Sequence, residues 1–518
     1  MRRSGGRGGR GGPGGAEARR WAAWAAACAV ALVASAGAAR AAEPGEPDED
    51  ALFGGADGSE GDEGPTGDAG RGGASADAGM TDDEARVLSG AAAEDDDESG
   101  LEDPLAIGGQ LYLRTQAFLT DRGAPGDQRL SMPNLLDLYL DARPVDRVRA
   151  FVNARLRFNP TIADGDTDAL GRPAQATSVL LDQAWIKTDI ARAVFLTLGQ
   201  QRVKWGASRI WNPTDVVNAT RRNPVAFFDE RTGVPLLKVH VPVESLGWNA
   251  YALVLFDGAD GLGQLGGAGR LEMVFGPSEW SVSVAGGQGR RTTVGLDVSA
   301  GVWDLDVHAE LGLTDESGAK RYGGTFSLGD GTLPSMTFPT ERTLDAWYAR
   351  VSAGADYTFR VGDNDLLVLG AEYFYNPLGY DEPSLYPWLM AQGAFEPFYL
   401  GQHYAGLLFA VPSPGDWDDV TFTTSTLANL SDQSYLTRLD MSWMLHTRLR
   451  LEAFVMVHYG HRGGELRMGL DLPALDQSVR DLIEAQGGPA GDQGLFSPTG
   501  LSIPGPVVDL GVHLRLAL

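Results

Sequence analysis

Six cations crowd one stretch of this 518-residue chain: Arg202, Lys204, Arg209, Arg221, Arg222 and Arg231, with Asp215, Asp229 and Glu230 among them. Fixed charge at this density binds or sorts ions, and it acts most strongly where bulk water is excluded and screening is weak. The segment carrying most of it, Gly206 to Gly233, is about twenty-eight residues long, far beyond an ordinary connection. Its Trp211, Val225, Phe227 and Phe228 require burial, and Pro213 and Pro224 limit its backbone freedom, which disfavours an unstructured loop. Folded into a water-filled lumen, the segment makes a charged constriction. Left on the surface, its arginines meet anionic phosphates.

Other candidate chemistry is thinner. Asp164-Gly165-Asp166-Thr167-Asp168 has the alternate-carboxylate spacing of a calcium loop, but Ala169 stands where the turn needs glycine and no Glu closes the loop near Arg172. His458 and His461 could begin a metal site, yet a third ligand is not evident, and no metal or other cofactor is expected. The histidines show no H-E-x-x-H, and the chain has no G-x-S-x-G and no lipase-like Asn-His-Ser cluster. No catalytic residue is assigned, and an enzyme is the weakest reading.

The elements that must position these residues are strands. From Pro506 to Leu518, Val508, Leu510, Val512, Leu514, Leu516 and Leu518 alternate with Asp509, Gly511, His513, Arg515 and Ala517, an aliphatic face back to back with a polar one. The same division recurs from about residue 105 onward, without an apolar run long enough for a transmembrane helix. Around residues 148–159 one face carries Arg149, Arg155 and Arg157, and the neighbouring strand supplies Asp137 and Asp141, so carboxylates stand beside guanidiniums across the pair. The pattern predicts an all-β fold, a transmembrane antiparallel up-and-down β-barrel of about 16–18 strands over residues 105–518, in the bacterial outer membrane. One of its strands is expected over Val194–Trp205. Arg114, Asp137, Arg155, Arg157, Asp306, Arg350 and Arg450 are expected to line the lumen.

Connection lengths support this count. Short links such as Pro144–Arg147, Asp189-Ile190 and His446 alternate with long ones such as Asp121–Asn134, Thr314–Asp345, Asn376–Gln402 and Gly460–Gly505. Barrels of this kind keep their short turns in the periplasm, which places both termini there. One long loop gathers Tyr386, Trp388, Phe395, Phe398 and Tyr399. Another carries an amphipathic helix over 473–487, with Pro473 in its first turn and Leu475, Val479, Leu482 and Ile483 on one face.

The N-terminal part has a different composition. Residues 1–41 read as a secretory signal peptide: Arg19-Arg20, the apolar run Trp21 to Val33, then Ala39-Arg40-Ala41 as the cleavage site. The sole cysteine, Cys28, lies inside that run, so the exported chain has none, as suits an oxidising compartment. Residues 42–104 hold about twenty acids against two Arg and too little apolar residue for a core, which predicts a disordered acidic linker. A net charge of −27 and a pI near 4.6 argue against a nucleic-acid partner.

The run Gly199-Gln200-Gln201-Arg202-Val203-Lys204-Trp205-Gly206, followed by Trp211-Asn212-Pro213-Thr214-Asp215, resembles a G-x-Q-x-x-x-W-G then N-P-T-D motif of porin-like outer-membrane barrels. The resemblance implies a barrel and no particular substrate, and Leu518 departs from the aromatic residue that commonly ends such barrels. The function expected is a channel for passive diffusion of small hydrophilic solutes or ions. The alternative is a barrel plugged by its own loops, serving as a scaffold in an envelope complex. Expected partners are outer-membrane lipid and lipopolysaccharide, the barrel-assembly machinery through the C-terminal strand, and further copies of the chain if it forms a homo-oligomer.

Overall fold

A computed structural model describes residues 104–122, 128–166, 173–218, 220–226, 229–329, 335–361, 365–485 and 499–518. The signal peptide (1–41) and, but for Pro104, the acidic linker (42–104) lie outside the described residues, as do Thr167 to Arg172 of the calcium-like loop.

Period-two alternation produces eighteen antiparallel wall strands. In chain order they are β1 (Leu105–Thr120), β2 (Asn134–Val145), β3 (Val148–Phe158), β4 (Thr177–Ile190), β5 (Val194–Gln201) and β6 (Val234–Val243). Then come β7 (Trp248–Leu255), β8 (Gly266–Phe275), β9 (Ser278–Gly287), β10 (Arg290–Val302), β11 (Leu305–Asp315) and β12 (Trp347–Val361). The last are β13 (Asp365–Tyr375), β14 (His403–Pro412), β15 (Val420–Asn429), β16 (Ser434–His446), β17 (Leu449–Gly460) and β18 (Pro506–Ala517). Each pairs with the next, and β18 pairs with β1 from Gln110↔Ala517 to Thr120↔Pro506, closing the sheet. Closure leaves no sheet edge, so every wall strand is hydrogen-bonded on both sides.

The polarity of this barrel is inverted relative to a soluble protein. Outward residues such as Leu138 (49% exposed), Val152 (39%) and Val512 (56%) lie bare, while inward Asp137, Asn153, Asp297, Glu310, His513 and Arg515 are buried. Only lipid makes the exposed aliphatic face favourable, so the barrel spans a membrane. Exposed Phe275, Trp280, Trp303 and Trp443 gather toward the short turns, and Trp347, Tyr373, Tyr375 and Tyr459 toward the long loops, as interfacial girdles do.

Two details depart from simple alternation. Between β3 and β4, Asn153 pairs with Gln183 but Ala154 pairs with Leu181. Asp182 is therefore an extra, bulged residue, and the bulge turns both Asp182 and Gln183 inward, where both are buried. Strand β5 ends at Gln201 instead of running to Trp205, because the chain there leaves the wall for the lumen.

The long loops fold over one mouth of the barrel and build a dry core of their own. Tyr322, Phe326, Leu385, Trp388, Leu475 and Val479 are among its buried members. Its helices are α1 (Tyr386–Ala391) and α2 (Gln477–Ala485). Helix α2 starts four residues after Pro473, so that proline precedes it and does not occupy its first turn; Leu475, Val479 and Ile483 are buried as a group.

The exposed aliphatic belt gives a direct test. Leu138→Arg places a charge against mid-bilayer hydrocarbon and is expected to cost about 2–4 kcal/mol. Urea titration of protein folded into lipid vesicles measures it, and an arginine tolerated without loss would refute the lipid-facing assignment.

Candidate functional site

Beyond Gln201 the chain turns inward and runs around the inner wall as a belt before rejoining it at Val234. Arg202 opens the path by donating to Asp182 of the bulge at 2.6 Å. Val203, Trp205 and Val217 then cover an inward aliphatic patch formed by Val234, Leu236, Leu253 and Leu255. Arg290 of β10 donates to the carbonyl of Val217 at 3.1 Å.

Between Ser208 and Thr214 the belt is held by two wall carboxylates. Glu310 of β11 accepts from Ser208 N (2.6 Å), Asn212 Nδ2 (2.9 Å), Thr214 N (3.1 Å) and Thr214 Oγ1 (2.7 Å). Glu372 of β13 accepts from the successive amides of Arg209 (2.9 Å), Ile210 (3.1 Å) and Trp211 (2.8 Å). Arg209 also donates from Nε to Asp356 of β12 at 2.6 Å. Fully buried Trp211 stacks on Phe374 of β13 with ring centroids 5.7 Å apart and packs against Tyr404 of β14.

The wall is cut away where the belt presses on it. A Cβ on Gly312 would lie 2.5 Å from the Pro213 carbonyl oxygen, one on its cross-strand partner Gly295 3.0 Å from Thr214 Cγ2, and one on Gly406 2.2 Å from Ile210 Cδ1. These inward glycines admit a backbone approach that a larger residue would block. The circuit continues as Arg438 of β16 donates to the Val225 carbonyl at 2.5 Å. It ends with Glu230, which meets Arg114 of β1 at 2.6 Å and whose carbonyl accepts from Arg155 of β3 at 3.0 Å.

The six cations of the segment divide into groups. Arg202 and Arg209 are paired to the wall, and Arg231 is paired within the belt to Asp215 (2.7 Å) and Asp229 (2.6 Å). Arg221 lies 3.5 Å from Glu396 and over the ring of Tyr399, while Arg222 donates to the Arg209 carbonyl. Lys204 is exposed. Among the wall charges, Arg155 is 0% exposed and bidentate to Asp137, with Asp182 3.3 Å away. The side chain of Arg157 keeps 40% exposure beside Glu230. Arg350 pairs with Glu316 at 2.8 Å, Arg450 is buried, and Asp306 is exposed near the short turn that joins β10 to β11.

Sequence reading missed the work of Glu310 and Glu372. Each occupies a polar slot of an alternating strand, which is the only local signal either gives. His458 bridges the Leu466 carbonyl (2.5 Å) and Asp509 (3.2 Å). Among the described residues no group of three His, Cys, Asp or Glu is placed to hold a metal ion.

No family model matches the chain, and no curated protein matches it. Solved structures are similar in fold. OccAB1 of Acinetobacter baumannii is 9% identical, covering 81% of this chain and 98% of that one at a TM-score of 0.46. The outer membrane protein OpdK of Pseudomonas aeruginosa, solved with vanillate, is 10% identical, covering 80% and 98% at 0.44. A Rhodopseudomonas blastica porin variant is 9% identical, covering 80% and 100% at 0.36. Identity at this level transfers no functional residue.

Belt and cap meet at Phe398, whose carbonyl accepts from Trp211 Nε1 at 3.0 Å and whose amide donates to Glu465. Glu465 also accepts from Tyr404 (2.5 Å) and Asn429 (2.8 Å), and its own amide donates to Asp432, which takes the Tyr386 hydroxyl at 2.8 Å. Burial pushes the Glu465 carboxyl up to about 7, and the adjacent Asp432 pushes the same way, against the hydrogen bond from Tyr404.

Two outcomes are expected. A folded value above the unfolded one means Glu465 stabilises the junction fully below its ordinary range, near 4.5, and loses that contribution as pH rises through about 7. The protection of residues 461–469 against hydrogen exchange, after correction for the intrinsic base-catalysed rate, should therefore fall over that window and stay constant in Glu465→Gln; a constant wild-type protection would contradict this. Arg155→Glu should destabilise the barrel by roughly 3–5 kcal/mol because it leaves Asp137 buried without its cation and sets a further carboxylate beside Asp182, which keeps only Arg202. Arg157→Glu should spare assembly and shift ion preference, as read by heat-modifiable gel mobility and reversal potentials.

Proposed function

We propose that the protein is an outer-membrane channel for passive diffusion of small hydrophilic solutes, with the belt as its constriction and both termini periplasmic. The observation that carries this reading is an inward-folded charged segment fixed around the inside of a closed, lipid-facing barrel. A barrel of this strand number encloses an aqueous lumen unless something fills it. The belt narrows that lumen, and it keeps Lys204, Arg221 and Arg222 at least partly exposed. The carboxylates of Glu310 and Glu372 are occupied by amides, so the accessible charge of the belt leans positive and favours anions. The lipopolysaccharide, assembly-machinery and self-association partners are part of this proposal, with β18 as the strand offered to the machinery.

The dry cap over the mouth favours the second reading, a plugged scaffold, and one experiment separates the two. Planar-bilayer recordings of refolded protein should show open channels with mild anion preference. Deleting Val216 to Asp229 should raise conductance and weaken that preference while the barrel still assembles. An assembled deletion variant with unchanged conductance would move the arginines to the surface-phosphate role. A wild-type barrel that never conducts would favour the scaffold.

A further inference from the structure

The belt's backbone donors converge on two side chains of the opposite wall, Glu310 and Glu372, both buried. Successive amides aimed at one point form a concavity that favours an anion, and here the anion is supplied by the protein itself. Hydrogen bonds to an ionised carboxylate are roughly twice as strong as neutral ones, and a buried N–H left without an acceptor is costly. Gly206, at φ +108°, lets the chain enter this arrangement, since a Cβ there would lie 2.5 Å from Glu310 Oε1.

We propose that Glu310 and Glu372 are the positioning residues of the constriction: turned away from the water path, they set conductance by holding the belt's backbone, and their vacated amide nests bind a free carboxylate. The inference rests on the belt being the constriction.

The two residues share a feature that predicts how a glutamine acts: both carboxylate oxygens of each accept a backbone amide. At Glu310 both oxygens receive a backbone amide, Ser208 N on Oε1 and Thr214 N on Oε2, so a glutamine in either orientation turns its own NH2 group toward a donor. At Glu372 the amides of Arg209 and Ile210 share Oε2 and only Trp211 N uses Oε1. A glutamine oriented with its oxygen toward the first pair loses one partner. Glu310→Gln and Glu372→Gln should therefore each release a backbone amide of the belt, where a mere change of charge would leave the belt in place.

That contrast separates positioning from simple electrostatics. Removing a negative charge from the lumen without moving the belt would strengthen anion preference and leave conductance as it was. Releasing the belt would raise conductance, add current noise and weaken anion preference. The expected result is the second pattern, in both Glu310→Gln and Glu372→Gln. In Glu372→Ala the retained Cβ leaves space that acetate fills with its methyl carbon and carboxylate. Acetate should return the variant's conductance toward that of wild type measured in the same salt, with chloride as the control.

Gly312→Ala tests the same idea from the wall, because it displaces Pro213 while both carboxylates remain, and it covers the case in which a glutamate variant fails to assemble. The Val216–Asp229 deletion is recorded alongside. If the deletion changes conductance while assembled Glu310→Gln, Glu372→Gln and Gly312→Ala channels behave as wild type, the positioning role is overturned. If the deletion changes nothing either, the constriction reading fails first.

Discussion

Hydrocarbon offers no partner to a backbone N–H or C=O, and the rest of this structure follows from that constraint. Strands that cross lipid must pair on both sides, so the sheet closes, with β18 returning to β1. Closure then fixes which way side chains face. Aliphatic residues go to the lipid, and most polar and charged side chains of the wall strands are driven inward, into a confined space with limited water.

The interior consequently has to solve a charge problem. Ionised groups held away from bulk solvent are stable only when paired or hydrogen-bonded. Asp137, Arg155, Asp182 and Arg202 form a connected network across β2, β3, β4 and the start of the belt. The bulge at Asp182 puts a carboxylate within reach of both arginines, which regular alternation would not do. Glu310 and Glu372 are stabilised by backbone amides where the others use arginine. The inner segment is thus the counterpart of the wall's carboxylates, and it is fixed to the barrel at points distributed around its circumference.

That segment also ties the lumen to the cap. Trp211 packs on Tyr404 and bonds to Phe398, and both of those residues bond Glu465 beneath the long loops. Phe398 itself sits at φ +66°, a conformation uncommon for a bulky residue, and its two backbone bonds face opposite ways along this link. The cap junction and the belt are therefore joined through first-neighbour contacts, one of them on Tyr404 of the wall.

Residue alternation by itself determined the strands, the orientation of their faces and the closed all-β architecture, because a period of two is a local property that lipid and water read directly. It also marked Gly206–Gly233 as exceptional, through length and an apolar content that a surface loop would not carry. It overran β5 for an instructive reason. Val203 and Trp205 still alternate with Lys204, since an extended chain lying along the inner wall has the same period as one inside it. Tertiary structure alone decided where that chain went. Thr214 and Glu310 are 96 residues apart, and Trp211 and Glu372 are 161 apart, so no local pattern joins them. Gly312 and Gly406 read locally as weak strand residues, and the belt pressed against them explains their size; Gly295 is crowded by Ser283 of the wall as well as by Thr214. The bulge at Asp182 was equally invisible, because one inserted residue changes register across a strand pair and leaves the composition of each strand as it was.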